Sequence, residues 1–215
     1  MEYDFTGSVW WATSRKLTSA TVEKLRADTA PSAVLAGYEP VASEFQAGTL
    51  LKLVLTGCGP ATVVVKDIHA SILKKADPLS GSVVWQPPQG DLDVTSMAFD
   101  LDSSARPAAF EYDVMLNKRR GDYFLRHATQ VSAGETVPFA VMGLSARSYV
   151  EWSIVISTLV SGHPWEFAVL LPGGRPIRTT AVAATYQSAY LLDNVGVRYE
   201  PVDPTQLVAE LHGSR

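Results

Sequence analysis

Two β-rich runs stand almost end to end in this chain, Thr49 to Thr56 and Ala61 to Lys75, with only Gly57, Cys58, Gly59 and Pro60 between them. The first alternates strictly. Leu51, Leu53 and Leu55 fall on one side and Leu50, Lys52, Val54 and Thr56 on the other, the period of two that marks a half-buried strand. The second opens on Thr62, Val63, Val64 and Val65, β-branched residues that suit a pleated surface. Four residues rich in Gly and Pro cannot hold a crossover helix, so the spacing predicts that the two strands are antiparallel neighbours.

A chain of 215 residues has room for one large β domain, or for a medium domain with extensions, without needing disulfide or metal staples. Its 47% hydrophobic and 19% charged residues are globular proportions, as is a mean hydropathy of +0.07. A net charge of -4 and a pI near 5.5 argue against a nucleic-acid platform, which gathers basic residues on one face. Cys58 is the only cysteine, which rules out an internal disulfide and any zinc site built on two or more thiolates. The most apolar stretch, Tyr149 to Val160, is too short to span a bilayer and is broken by Glu151, and the alternation of Val150, Trp152, Ile154 and Ile156 reads as a strand. No transmembrane helix is predicted. Met1 to Asp4 has neither the basic nor the apolar region of a signal peptide.

Phe5 to Ala12 reads as a short strand or packing arm. Thr18 or Ser19 then caps a helix through Val22, Leu25 and Arg26, closed by Pro31. Strands are predicted over Leu50 to Thr56, Thr62 to Leu73, Gly81 to Gln86, Leu92 to Leu101, Phe110 to Leu116 and Tyr123 to Val131, then Thr136 to Met142, Ser148 to Val160, Trp165 to Leu171 and Ile177 to Ala184. Pro138 marks its strand as an edge strand or as a weak strand. Turn residues separate the strands, among them Pro87-Pro88-Gln89-Gly90, Ser161-Gly162-His163-Pro164 and Pro172-Gly173-Gly174. Asp203 as cap, Pro204 at the first helical position and Gln206 reaching back start a final short helix. The expected architecture is mainly β: an antiparallel β-sandwich of immunoglobulin-like character over residues 47–192, with an N-terminal arm and helix (1–46) packing on it and a C-terminal tail with a short helix (193–215).

Several segments together resemble an uncharacterised domain of actinobacterial proteins. They are Leu51 to Leu55 with Ala61 to Ala70, Ala76-Asp77-Pro78-Leu79-Ser80-Gly81, the run from Phe99 to Pro107, Phe139 to Val141, Trp152 with Ile154 to Ser157, and Gly174 to Thr180. The Asp100-Leu101-Asp102 to Arg106-Pro107 and Gly174-Arg175-Pro176 to Thr180 stretches are the more distinctive. The resemblance implies an extracytoplasmic β-sandwich that usually follows a transmembrane helix and has no assigned catalytic residues. Such an anchor is not among these 215 residues, and the cysteines common in that family are not matched beyond Cys58.

Residues able to carry chemistry are sparse. His69, His127, His163 and His212 are far apart, without the i, i+2 or i, i+4 spacing of metal ligands. Asp91, Asp93, Asp100 and Asp102 form two Asp-x-Asp pairs. At strand spacing each pair would share a face and could hold Ca²⁺, although a solvated face fits the same pattern and the Gly and bidentate Glu of a helical calcium loop are missing. Gly143-Leu144-Ser145-Ala146-Arg147 approaches a nucleophile elbow but has Arg where the second Gly permits the turn. Cys58 has no His or Lys beside it to activate the thiol. Gly173 and Gly174 precede a strand, so they read as hairpin glycines and not as a phosphate loop. Lys118, Arg119 and Arg120 form the strongest local basic cluster, readable as a hairpin tip for an anionic partner or as a solvated loop; with Gly121 and Asp122 they complete an Arg-Gly-Asp triplet, a common coincidence. Trp10, Trp11, Trp85, Trp152 and Trp165 read as core or rim packing.

No catalytic constellation emerges. The expectation is therefore a non-enzymatic binding or interaction module with a protein partner, which the resemblance would make the soluble part of a membrane-associated protein. One alternative is a metal-dependent hydrolase assembled from Asp91, Asp93, Asp100, Asp102, Glu166 and His163; another is a subunit that self-assembles through sheet edges.

Overall fold

The computed structural model describes residues 2–3, 9–27, 39–42, 49–86, 96–113, 118–193 and 198–213. In chain order the first elements are β1 (Glu2–Tyr3), β2 (Val9–Thr13), α1 (Ser19–Ala27), β3 (Glu39–Ala42), β4 (Thr49–Thr56) and β5 (Val63–Ala76). Next come β6 (Ser82–Gln86), β7 (Ser96–Asp100), β8 (Phe110–Asp113), β9 (Lys118–Asp122), β10 (Thr129–Val131) and β11 (Thr136–Leu144). The chain continues through β12 (Tyr149–Val160), β13 (His163–Val169), β14 (Ile177–Ala181), β15 (Ser188–Asp193), β16 (Arg198–Val202) and α2 (Pro204–Gly213). The protein is mainly β. No helix among the described residues is long and apolar enough to cross a membrane.

β4 and β5 are both strands, but they do not pair. β4 lies between β1 and β11 in a sheet of order β1-β4-β11-β7-β8-β9, while β5 lies between β10 and β12 in a second sheet, β10-β5-β12-β14-β3-β2-β6-β15-β16, with β13 also on β12. Residues 57–62 therefore carry the chain from one sheet to the other. Such a link, extended, reaches about 20 Å, ample to cross the roughly 10 Å between stacked sheets. Gly57 seats the corner: its N–H donates to Glu135 O at 3.0 Å, and Gly134 N–H donates to Gly57 O at 2.8 Å. The alternation in β4 holds, with Leu51 and Leu53 buried and Lys52 and Val54 exposed. Periodicity reports which face is buried and leaves open which strand lies alongside.

Both sheets contribute to one core. Leu51, Leu53, Phe99, Phe139 and Val141 come from the smaller sheet, and Ile68, Ala70, Trp152, Ile154, Ile156 and Ile177 from the larger. The wholly antiparallel arrangement expected is corrected at three places, where β11–β7, β14–β3 and β15–β6 are parallel pairs. Pro138 sits on a strand with two neighbours, yet its own position pairs only with Val54, because β7 contacts β11 from Val141 onward. Of the predicted strand over 123–131, only β10 forms; residues 123–127 turn, with Tyr123 O accepting from Arg126 and His127 N–H.

The far half of the larger sheet has a helix on each face. Trp10, Ala12, Val83 and Ala189 meet Leu207 of α2 on one side, and Trp11, Val84, Tyr190 and Tyr199 meet Leu25 of α1 on the other. The N-terminal segment is thus woven into the sheet, with β2 between β3 and β6, and β16 of the C-terminal segment pairs with β15. The helix starts follow the sequence: Thr18 Oγ1 accepts from Thr21 N–H at 3.2 Å, and Asp203 Oδ1 from Thr205 N–H at 2.8 Å.

Tyr199 is fully buried, and its hydroxyl has no hydrogen-bond partner among the described residues. Burial pushes its pKa up to about 12. The fold thus favours the neutral phenol, so this contribution to stability is complete below the unfolded value near 10 and is lost as pH rises through about 12. Two units correspond to about 2–3 kcal/mol. Urea midpoints measured at pH 8 and pH 11.5 are expected to fall less in Tyr199→Phe than in the parent protein, with no loss at pH 8; an equal fall in both proteins would contradict this assignment.

Candidate functional site

Asp91 and Asp93 lie outside the described residues. Asp100 ends β7, and Asp102 belongs to the turn that follows, so the two carboxylates do not share a strand face. Asp102 instead clamps a second turn: Oδ2 accepts from Ala146 N–H at 2.7 Å and Arg147 N–H at 3.1 Å, while Oδ1 lies 3.1 Å from Ser145 Oγ. Ser145 Oγ also lies 2.9 Å from Ser148 O. Gly143 is a strand residue on which Trp152 packs, 2.6 Å from where a Cβ would lie. Among the described residues no three His, Cys, Asp or Glu side chains gather as metal ligands.

Lys118, Arg119 and Arg120 lie on β9, not at a hairpin tip. Arg119 stacks over the Phe110 ring at 4.3 Å, and Arg120 pairs with Asp113. Asp122 Oδ1 accepts from Phe124 and Leu125 N–H, so both charged ends of the Arg-Gly-Asp triplet have intramolecular partners. Cys58 is exposed, its thiol facing Thr56 O at 3.5 Å. Gly173 and Gly174 take positive φ in the turn closed by Leu171 N–H to Arg175 O. The His127 ring lies tilted against Tyr123, with centroids 4.5 Å apart, beside Glu111, and the side chain of His212 lies outside the described residues.

A charged side-chain network lies on the larger sheet's outer face. β5 presents Asp67 and His69, β12 presents Ser157, and β13 presents Glu166, with Asp67, Ser157 and Glu166 in lateral register. His69 is only 5% exposed. Its Nδ1 lies 2.9 Å from Asp67 Oδ2, and Arg106 donates to its Nε2 from Nη2 at 2.8 Å and Nε at 3.2 Å. Arg106 reaches Glu166 Oε2 at 3.1 Å, which also accepts from Ser157 Oγ at 3.3 Å. Because Arg can only donate, His69 Nε2 is the acceptor and Nδ1 carries the proton toward Asp67. Both ring nitrogens are therefore engaged, and Ser157 faces a carboxylate in place of an imidazole. The arrangement orients Glu166 and braces β13; it does not activate a nucleophile. His163 opens β13 on the face opposite Glu166, and Asp100 and Asp102 belong to the other sheet, so the hydrolase pool is not brought together among the described residues. Arg106 had no local signal as a partner of His69, from which it stands 37 positions away.

Of the two readings of Trp165, core or rim, β13 excludes the core. The β12–β13 hairpin turns on Ser161 and Gly162, both with positive φ, and pairs Phe167 with Ile156 and Trp165 with Thr158. Val169 packs against the shared core. Farther out along the same face, Phe167 is 46% and Trp165 63% exposed, so two aromatic rings overhang the core on a strand whose other edge is unpaired among the described residues.

Comparison with protein-family models, with curated proteins and with solved structures finds no match.

Proposed function

We propose that the chain is a non-enzymatic binding module that docks a partner protein along β13. The observation that carries this reading is the Trp165–Phe167 pair, exposed on an edge strand braced from behind by the Glu166–Arg106–His69 network. Exposed aromatic surface costs solvation that a partner would relieve at about 25 cal/mol per Å². An open strand edge adds main-chain donors and acceptors for an extended segment, and a braced strand loses little entropy on binding. Two sheets sharing one core, with a corner at Gly57, support an immunoglobulin-like sandwich. Within the resemblance to the actinobacterial domain, the module would be the extracytoplasmic part of a membrane-associated protein.

Photo-reactive p-benzoylphenylalanine placed at position 167, in cells that make the protein, is expected to capture one protein that the same group at exposed Val54 does not. That protein, purified, is expected to bind the chain and to lose at least about tenfold in affinity to Trp165→Ala, the scale of an aromatic hot spot. Equal capture at both positions would refute the proposal. Capture of only a second 23.2 kDa copy would replace it with self-assembly.

A further inference from the structure

At the end of the larger sheet's outer face away from Glu166 lies an open cleft of about 660 Å³ lined by Arg15, Lys16, Lys74 and Arg178 together with Asp77, and Glu151 stands in register between Lys74 and Arg178. The chain as a whole is acidic, with net charge -4. Against the carboxylates of Asp77 and Glu151, four cations drawn from sequence positions 15 to 178 around one concavity still leave a local excess of positive charge opposed to the global one. Arg15, Lys16 and Lys74 make no ion pair among the described residues. Arg178 stands in register with Glu151 across β12–β14, with its Nε 3.8 Å from Glu151 Oε1; Tyr149 Oη donates to the same carboxylate oxygen at 2.9 Å.

The wall carrying Arg15 and Lys16 is held in place. Gly81 N–H donates to Thr13 O at 2.8 Å, and Leu17 N–H donates to Ser82 Oγ at 2.9 Å. A Cβ at position 81 would lie 2.3 Å from Arg15 N, so only glycine lets these two backbones touch. Thr18 and Thr21, at the start of α1, line the cleft. The first turn of α1 has no acidic residue and its last turn carries Lys24 and Arg26, which leaves the positive end of the helix dipole uncompensated by its own sequence.

We infer that this cleft binds a small soluble molecule bearing phosphate. The volume suits a metabolite-sized ligand. Arg and Lys donors around a fixed concavity, with a helix start at its rim, match the several oxygens of a phosphate better than a single carboxylate. The site is separate from the β13 edge and does not depend on a protein partner being found there.

Isothermal titration of the full chain at low ionic strength with inorganic pyrophosphate tests the inference. A saturable one-to-one isotherm is expected, weakened about tenfold, equivalent to about 1.4 kcal/mol, in Lys74→Met and again in Lys16→Met. Lys118→Met makes the same charge change on β9 and is expected to bind as the parent does. Both cleft substitutions replace exposed side chains, so unchanged thermal midpoints are expected, and Lys74→Arg is expected to restore binding. No saturable heat, or equal weakening by Lys118→Met, would overturn the site. Citrate binding as tightly as pyrophosphate would overturn the phosphate assignment. Lys74-dependent sedimentation with phosphatidylglycerol vesicles, without pyrophosphate binding, would overturn the soluble source in favour of a lipid headgroup.

Discussion

Replacing Trp152 by alanine is expected to lower the free energy of unfolding by about 3–5 kcal/mol, the range found for emptying a large aromatic site in a core. Trp152 is fully buried. Its ring meets Phe99 of the opposite sheet edge-on, with centroids 5.8 Å apart. It also lies over Gly143, where a Cβ would come within 2.6 Å of Cζ2, so the indole fills the gap between the sheets where one strand has given up its side chain. Its Nε1–H donates to Thr179 Oγ1 at 3.1 Å. That hydroxyl meets Thr49 Oγ1 at 2.5 Å, and Thr49 donates to Arg178 O. Thr49 is on β4 and Thr179 on β14, so a chain of satisfied polar groups joins the two sheets through the core. Against a total of roughly 5–15 kcal/mol, Trp152→Ala would leave a protein close to unfolding, whereas Trp152→Phe, which keeps a ring and loses one hydrogen bond, is expected to cost about 1–2 kcal/mol. Urea unfolding followed by far-UV circular dichroism measures both. A cost under about 1 kcal/mol for Trp152→Ala would show that this site collapses freely and is not the centre of the core.

Gly57→Ala is expected to cost about 3 kcal/mol, the upper part of the range for forcing an added methyl into a packed site. A Cβ there would lie 2.1 Å from Ser132 O and 2.8 Å from its carbonyl carbon, and backbone atoms, unlike the end of a flexible side chain, cannot swing away. Relief requires opening the corner, which breaks the hydrogen bonds from Gly57 N–H to Glu135 O and from Gly134 N–H to Gly57 O. The neighbouring Gly59→Ala is the matched control, since a Cβ at position 59 meets nothing within 4 Å, and it is expected to be nearly neutral. Equal costs at 57 and 59, read from urea midpoints, would mean that loss of glycine flexibility governs the effect and not the close approach to Ser132.

What could be read from residue order is what neighbouring residues impose on one another. The alternation of Leu51 and Leu53 with Lys52 and Val54 assigns a buried and a wet face to β4, because side chains in a strand alternate whatever lies beside it. Trp152, Ile154 and Ile156 declare a core face in the same way. Thr18 and Asp203 mark helix starts because their side chains satisfy N–H groups two or three residues away. The mainly β character and both helices follow from these local rules, as do the hairpin glycines Gly173 and Gly174.

Pairing between strands is another matter, since it is settled by groups far apart in the chain. The short link at 57–62 permits a hairpin or a step between sheets, and the step prevails because it sets Leu51 and Leu53 facing Ile68 and Ala70 across one core. Trp165 has the pattern of a buried strand residue and is exposed because the core ends beside Val169. Arg106 finds His69, and Arg15, Lys16, Lys74 and Arg178 find one cleft, through contacts whose sequence separation leaves no local signature. Periodicity and capping act within a few residues and are therefore legible in the chain; lateral pairing, the reach of the core and the convergence of charges arise only when distant segments are brought together.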